Sequence, residues 1–254
     1  MKRFLNKIKT NKLSVNIRNF LNLRPLHLTL PRSRESISVS DNFCWRTDKG
    51  YETEIRFFDI LKLFYQLENT TCQIIFYSSN GAKLKELKYK NLKKINILRI
   101  NKELLDGIES YGTFCIFHNT KDNFKNIIIA NKCYSGYSLN KNLFSFAHGN
   151  TYAKHKKFLE NKEKSEIIHT SNSKHNYKIQ NNFLDFDNTE LFFSNPTSSK
   201  VIFSVNERKY YLNKSCSKLI NIKKTKSIII NSNCYYLRPL IFNYKKNYLD
   251  VHHG

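Results

Sequence analysis

The chain has 254 residues, 40% apolar and 14% aromatic, which is enough to bury a core in one large domain or two small ones and argues against global disorder. Forty-three Lys and Arg stand against 20 Asp and Glu, a formal net charge of +23. Such a surplus points to nucleic acid, an anionic membrane or an acidic glycan as partner, or to nothing beyond the Lys, Asn, Ile, Tyr and Phe drift of an AT-rich genome. Seven Gly and four Pro exclude a collagen-like or low-complexity chain. No apolar run approaches the roughly 18 residues that span a bilayer, and the N-terminal stretch lacks a continuous apolar signal core.

Residues 1–35 read as a basic, partly helical arm. Residues 1–34 carry nine Lys and Arg and no acid. Phe4 and Ile8, then Leu13 and Ile17, are spaced for one apolar helical stripe, and Pro25 and Pro31 end it. Such an arm suits anionic lipid, RNA or its own domain, and in lacking acids it resembles an organelle transit peptide.

Residues 36–150 read as a first β-sandwich. Thr71 to Tyr77 is a β-rich run, Asn80-Gly81 favours a type I′ hairpin, and Leu84 to Tyr89 is the return strand. Lys94 to Ile97 alternates, Glu103 to Ile108 reads as a short helix or turn, and Thr113 to Phe117 and Ile127 to Ala130 are further strands. Residues 151–183 read as a polar connector: Lys154 to Glu166 is densely charged, as in an exposed helix, and Thr170 to Asn182 is rich in Ser, Asn and Lys. Residues 184–254 read as a second β-sandwich, with strands at Leu191 to Phe193, at alternating Val201, Phe203 and Val205, and at Tyr210 to Leu212, Leu219 to Ile222, Ile228 to Ile230 and Leu240 to Phe242. The predicted fold class is therefore all-β, mainly antiparallel, in two packed sandwich-like units. Both units close on a His-Gly element, at His148-Gly149-Asn150 and His252-His253-Gly254, which is compatible with a distant repeat.

Glycine loops for phosphate, the nucleophile elbow and the zinc-protease motif are all missing from the sequence. Cys44, Cys72, Cys115, Cys133, Cys216 and Cys234 form no C-x-x-C pair, and several sit in apolar runs, as buried thiols of a reducing compartment do. Cys44 is a conceivable nucleophile with a histidine as base. His118, His148, Asp250, His252 and His253 are the candidate metal ligands, with Asp250 and His252 on one face of a strand because i and i+2 agree. Cys44-Trp45-Arg46-Thr47-Asp48 holds the single Trp. Trp45 can stack on a sugar ring while Arg46 and Asp48 hydrogen-bond its hydroxyls. Each of these groups has an equally good structural role, as strand-end hydrogen bonds or an Arg–Asp turn. Basic–aromatic runs occur at Lys88-Tyr89-Lys90, Lys209-Tyr210-Tyr211 and Tyr244 to Tyr248.

The stretch Cys72 to His118, with Ile74 to Tyr77, Asn80-Gly81, Leu84 to Leu87 and Phe114 to His118, resembles the sensory rhodopsin transducer family. That resemblance implies a non-catalytic β-sandwich used for recognition, of carbohydrate for example. The wider arrangement also looks like bacterial proteins of two β-domains, a likeness that brings no activity with it. The expectation is a cofactor-free binding protein of the cytoplasm or an organellar matrix, taking a glycan or other anionic surface at Trp45, Arg46, Asp48, His118, His148, Asn150 and His252. The alternatives are a basic ribonucleoprotein component, touching RNA through residues 1–34, and a metal-dependent enzyme using His148, Asp250 and His252.

Overall fold

The computed structural model describes residues 8, 11–23, 26–30, 35–122, 126–131, 133–139, 143–149, 151–158, 160, 162–165, 167–180 and 185–254. The predicted elements around Phe4, Pro25 and Pro31, and site residue Asn150, lie outside these. Helix α1 (Lys12–Phe20) comes first, followed by β1 (Ile37–Asp41), β2 (Phe43–Arg46), β3 (Glu52–Phe58), α2 (Ile60–Tyr65), β4 (Thr70–Ser78) and β5 (Lys83–Lys90). Next come β6 (Ile95–Ile100), β7 (Tyr111–Thr120), β8 (Ile128–Asn131), β9 (Tyr134–Ser138), β10 (Ser145–His148), β11 (Tyr152–Lys157) and β12 (Thr170–Gln180). The chain finishes with β13 (Asn188–Ser194), β14 (Val201–Val205), β15 (Arg208–Leu212), β16 (Ser217–Ile222), β17 (Ser227–Cys234), β18 (Leu240–Lys245) and β19 (Tyr248–His253). The protein is all-β, and apart from β1 with β8 the paired strands run antiparallel. Among the described residues no helix is long and apolar enough to cross a membrane.

In the first half, sheet β2-β7-β4-β5 faces sheet β10-β9-β3-β6. Between them lie Phe43, Trp45, Ile55, Phe57, Ile74, Phe76, Phe114 and Ile116, all buried. The β4–β5 turn differs from the type I′ form that Asn80-Gly81 suggests. Only Gly81 is left-handed (φ +83°), and Gly81 N–H donates to the Ser78 carbonyl, as in a three-residue loop closed by glycine. In place of the short helix or turn expected at Glu103 to Ile108, Lys102 to Gly107 is a run of turns.

Strand β7 is buried nearly throughout because both its faces are covered. Phe114 and Ile116 enter the core above, while Cys115 and Phe117 pack with Ile75 and Tyr77 on the reverse side. Beyond the four residues paired to β2, the outer edge of β7 meets β1. Ser40 Oγ accepts from Ile116 N–H at 2.9 Å and Ser38 Oγ from His118 N–H at 3.0 Å. The intervening Ile37 and Val39 point the other way, into the core of the second half. Period-two alternation in Ile-Ser-Val-Ser thus ties one strand to both halves.

The second half stacks sheet β12-β17-β14-β15 on sheet β16-β13-β18-β19. Val201, Phe203 and Val205 of β14 point inward as the alternation predicts, against Leu191, Phe193, Ile228 and Ile230. A third cluster joins the halves: Cys44, Tyr51, Tyr137 and Ala147 meet Phe192, Leu240, Phe242 and Val251.

Two local expectations are corrected. Lys154 to Lys157 is strand, not helix, pairing with β1, and Lys154, His155 and Lys156 are buried. The Lys154 ammonium lies 3.4 Å from the centre of the Tyr77 ring, and Lys156 Nζ donates to Gln73 Oε1. A long aliphatic stem with a satisfied tip can be buried where a charge count reads solvent. Thr170 to Gln180 is also strand, not connector. Its more buried side chains are Ser171, Ser173, His175 and Tyr177 before Ile179 supplies an aliphatic one, so the apolar signal is weak although the pairing with β17 is extensive.

Candidate functional site

Adjacent residues of a strand face opposite ways, and this separates the residues of Cys44-Trp45-Arg46. Trp45 enters the first core with no exposed surface, and its indole N–H donates to the Tyr77 carbonyl at 2.8 Å. Gly112 makes that approach possible, since a Cβ there would lie 2.1 Å from the same carbonyl oxygen. The ring has no free face for a sugar.

Arg46 points toward the second half and is equally buried. Its Nε and Nη2 donate to Asp48 Oδ1 and Oδ2 at 2.9 and 2.7 Å, and its Nη1 donates to Glu190 Oε2 at 2.7 Å and Tyr244 Oη at 3.1 Å. The guanidinium carbon sits 4.0 Å from the centre of the Tyr51 ring. A guanidinium has five N–H donors, and four are used here, so this group holds the protein together and is not presented to a ligand. Lys49 Nζ adds 2.6 Å to Glu190 Oε1. Burial pushes the Glu190 carboxyl up, but the cations and the Tyr244 hydroxyl outweigh it and hold it at about 2. Glu190 and Tyr244 escape a sequence reading because they lie 144 and 198 residues from Arg46.

His118 is buried, with Nδ1 2.7 Å from Asn131 Oδ1, and burial lowers its pKa. Asp250 and His252 meet at 2.9 Å, on one face as i, i+2 spacing requires. His148 meets His253 instead, with ring centres 4.6 Å apart and His253 Nε2 donating to the His148 carbonyl at 2.5 Å. Among the described residues no group of three His, Cys, Asp or Glu side chains is placed to hold a metal ion. A cavity of ≈ 20 Å³ beside Cys44, Tyr137, His148, Arg238 and His253 is room for about one water, not a sugar. Burial pushes the Cys44 thiol up, and it donates weakly to the Trp45 carbonyl, so it is a packed thiol rather than a nucleophile. The predicted groove residues are therefore not brought together: Trp45 lies in one core, Arg46 with Asp48 between the halves, His118 beside Asn131, His148 beside His253 and His252 beside Asp250.

His253 gives a pH prediction. Burial, then the neighbouring His148, lowers its pKa from 6.5 to about 4, and its Nδ1 is buried without a hydrogen-bond partner among the described residues. The unfolded chain therefore takes up this proton first, and stability falls as pH drops from 6.5 toward about 4. His253→Gln, which keeps a donor for the His148 carbonyl, is expected to flatten that fall in urea midpoints measured across the interval. An unchanged slope would assign the proton uptake to another group.

The surface with room for a large ligand lies elsewhere. Among the described residues, no further layer covers the outer face of sheet β12-β17-β14-β15. Asn176, Asn231, Ser204 and Lys209 form one cross-strand row on it, and Ile202 opposes Tyr211 in the next. Ile202, Tyr211 and Ile229 are 54%, 61% and 42% exposed. Helix α1 stands at the β12 edge, held by Asn19 Nδ2 donating to the Thr170 carbonyl at 3.0 Å and Asn172 Nδ2 to the Phe20 carbonyl at 3.1 Å. A cleft of ≈ 480 Å³ between α1 and the sheet adjoins a depression of ≈ 500 Å³ on the face itself, and both are bordered by Ser171, Asn172 and Asn233. No protein-family model matches the chain, and neither does any curated protein sequence.

Proposed function

We propose that this chain is a non-enzymatic β-sandwich binding protein whose ligand is an anionic macromolecule. The observation that carries the reading is the division of its polar groups. Trp45, Arg46 and His118 are consumed inside, while among the described side chains every Lys and Arg but Arg46, Lys154 and Lys156 keeps exposed surface. With 20 acids for 43 Lys and Arg, 43 − 20 = 23 cations have no acid to pair with one to one. Lys218, Lys223, Lys224, Lys226, Lys245 and Lys246 are all exposed, on or beside strands of the second half. The resemblance of residues 72–118 to the sensory rhodopsin transducers supports the same role, since it implies a recognition sandwich. A neutral glycan stacked on Trp45 has no geometric support, because that ring is buried.

The test is binding to heparin and to a mixed RNA pool as a function of salt. The expected result is a linear fall of log affinity with log salt, losing on the order of 10³-fold or more between 50 and 200 mM if six or more anionic groups are contacted. A flat dependence, or no binding to either polyanion, would remove the reading and leave the charge as compositional drift.

A further inference from the structure

We infer that the outer face of sheet β12-β17-β14-β15, walled by α1, binds single-stranded nucleic acid, a step that rests on the anionic-ligand reading and names its site and ligand class. Three observations combine. The face is apolar where an ordinary solvated sheet face would be polar: Ile202, Tyr211 and Ile229 stand outward, exposed, from strands whose inward residues already fill a core. Around them is positive charge. Lys174 and Lys209 border the depression, Lys178 opposes Ile229 across the β12–β17 pair, and Lys200 Nζ stands 4.2 Å from the centre of the Tyr211 ring. Glu207, in the β14–β15 turn, is the one acid among the described residues bordering that depression. Thirdly, Asn172, Asn231 and Asn233 border it too; Asn172 donates to the Phe20 carbonyl, and Asn233 accepts from Ile202 N–H and donates to the Lys200 carbonyl, but an amide nitrogen carries a second N–H after one such bond.

A single-stranded nucleic acid needs this combination. Each base has a flat apolar face for Tyr211 and the isoleucines, hydrogen-bonding edges for the amides, and a phosphate every nucleotide for the lysines. A sulfated glycan carries charge around its whole circumference, and its puckered rings offer Ile202 and Ile229 a smaller apolar face than a base does. Duplex DNA hides its base faces in the stack. Four strands spaced about 4.8 Å apart give a platform on the order of 15 Å across, a length that suits about three or four nucleotides.

The test is fluorescence anisotropy of the full-length protein with a labelled single-stranded RNA of about 12 nucleotides, in a salt series, with heparin run in parallel. Tyr211→Ala is expected to weaken RNA binding about 5- to 100-fold at fixed salt, the loss of one base-stacking partner. Lys174→Gln with Lys209→Gln is expected to reduce the salt slope by about 1.4, or about 0.7 per lost phosphate contact. Because these side chains are exposed, thermal midpoints close to wild type are expected and would show that the variants fold. RNA binding that both variants retain at wild-type strength would overturn the assignment of the face while leaving the anionic-ligand reading standing. Binding of heparin but not RNA would overturn the ligand class. Binding of neither would overturn both the inference and the reading beneath it.

Discussion

Arg46→Ala is expected to destabilise the protein by about 3–5 kcal/mol, a fall of roughly 6–20 °C in Tm for a chain of this size. The magnitude comes less from the hydrogen bonds that disappear than from the charge left behind. Glu190, with a side chain only 5% exposed, would keep its charge without its one buried cation among the described residues, Tyr244 would lose one donor and Asp48 two. Lys49 is 65% exposed and does not replace a buried guanidinium. The pH dependence should weaken with it. In the wild type Glu190 contributes stability above pH 4.5 that is lost as pH falls toward about 2, because its folded pKa lies below its ordinary value. Without Arg46, the strongest of the groups holding the carboxyl down is gone, so acid should protonate Glu190 with a smaller further loss. Combining Arg46→Met with Glu190→Gln should recover a large part of the deficit, since a buried pair replaced as a unit is often nearly neutral. A single-variant loss below about 1 kcal/mol would mean that the guanidinium is solvated and available to a ligand after all.

Trp45→Ala is expected to cost about 3–5 kcal/mol through the cavity it leaves among Phe43, Ile74, Phe76 and Phe114, and to unmask the Tyr77 carbonyl that the indole N–H now satisfies. Trp45→Phe should cost less, retaining most of the packing and losing the donor. As the single Trp, this residue also reports on the ligand question directly. Its emission should be blue-shifted and nearly insensitive to iodide, and saturating ligand should leave it unchanged. Iodide quenching comparable to that of free indole would contradict the buried position.

The strands were legible in the sequence where a strand buries at least one face with Val, Ile or Phe. Thr71 to Tyr77 and Val201 to Val205 both lie where their alternation places them. Burial of other chemistry hid the rest. Nothing local marks Lys154 and Lys156 as interior, because their burial depends on Tyr77, Glu163 and Gln73, which other segments of the chain bring alongside. The structure does not gather the predicted site residues, for a reason that was readable. If Cys44 to Arg46 is strand, Trp45 and Arg46 cannot share a groove. The Asp250–His252 pair obeyed the same rule, and it did form. The open sheet face was half visible too, in Ile202 and Tyr211, outward neighbours of the residues whose inward alternation identified the strands. What made it a surface, the register that sets them opposite each other beside Asn231 and Lys209, is long-range information.

Strand β1 has a consequence for synthesis. Ile37 and Val39 belong to a core completed by Ile241, which leaves the ribosome 241 − 37 = 204 residues later. At about 5–20 residues per second, that is roughly 10–40 s during which the core around these two side chains is incomplete. Ser38 and Ser40 can engage β7 far sooner, so the nascent chain can dock β1 by its hydroxyls while its isoleucine and valine still face water. The first half would then wait, folded but sticky, for the second to arrive. A chaperone requirement should therefore track how fast the final hundred or so residues are translated.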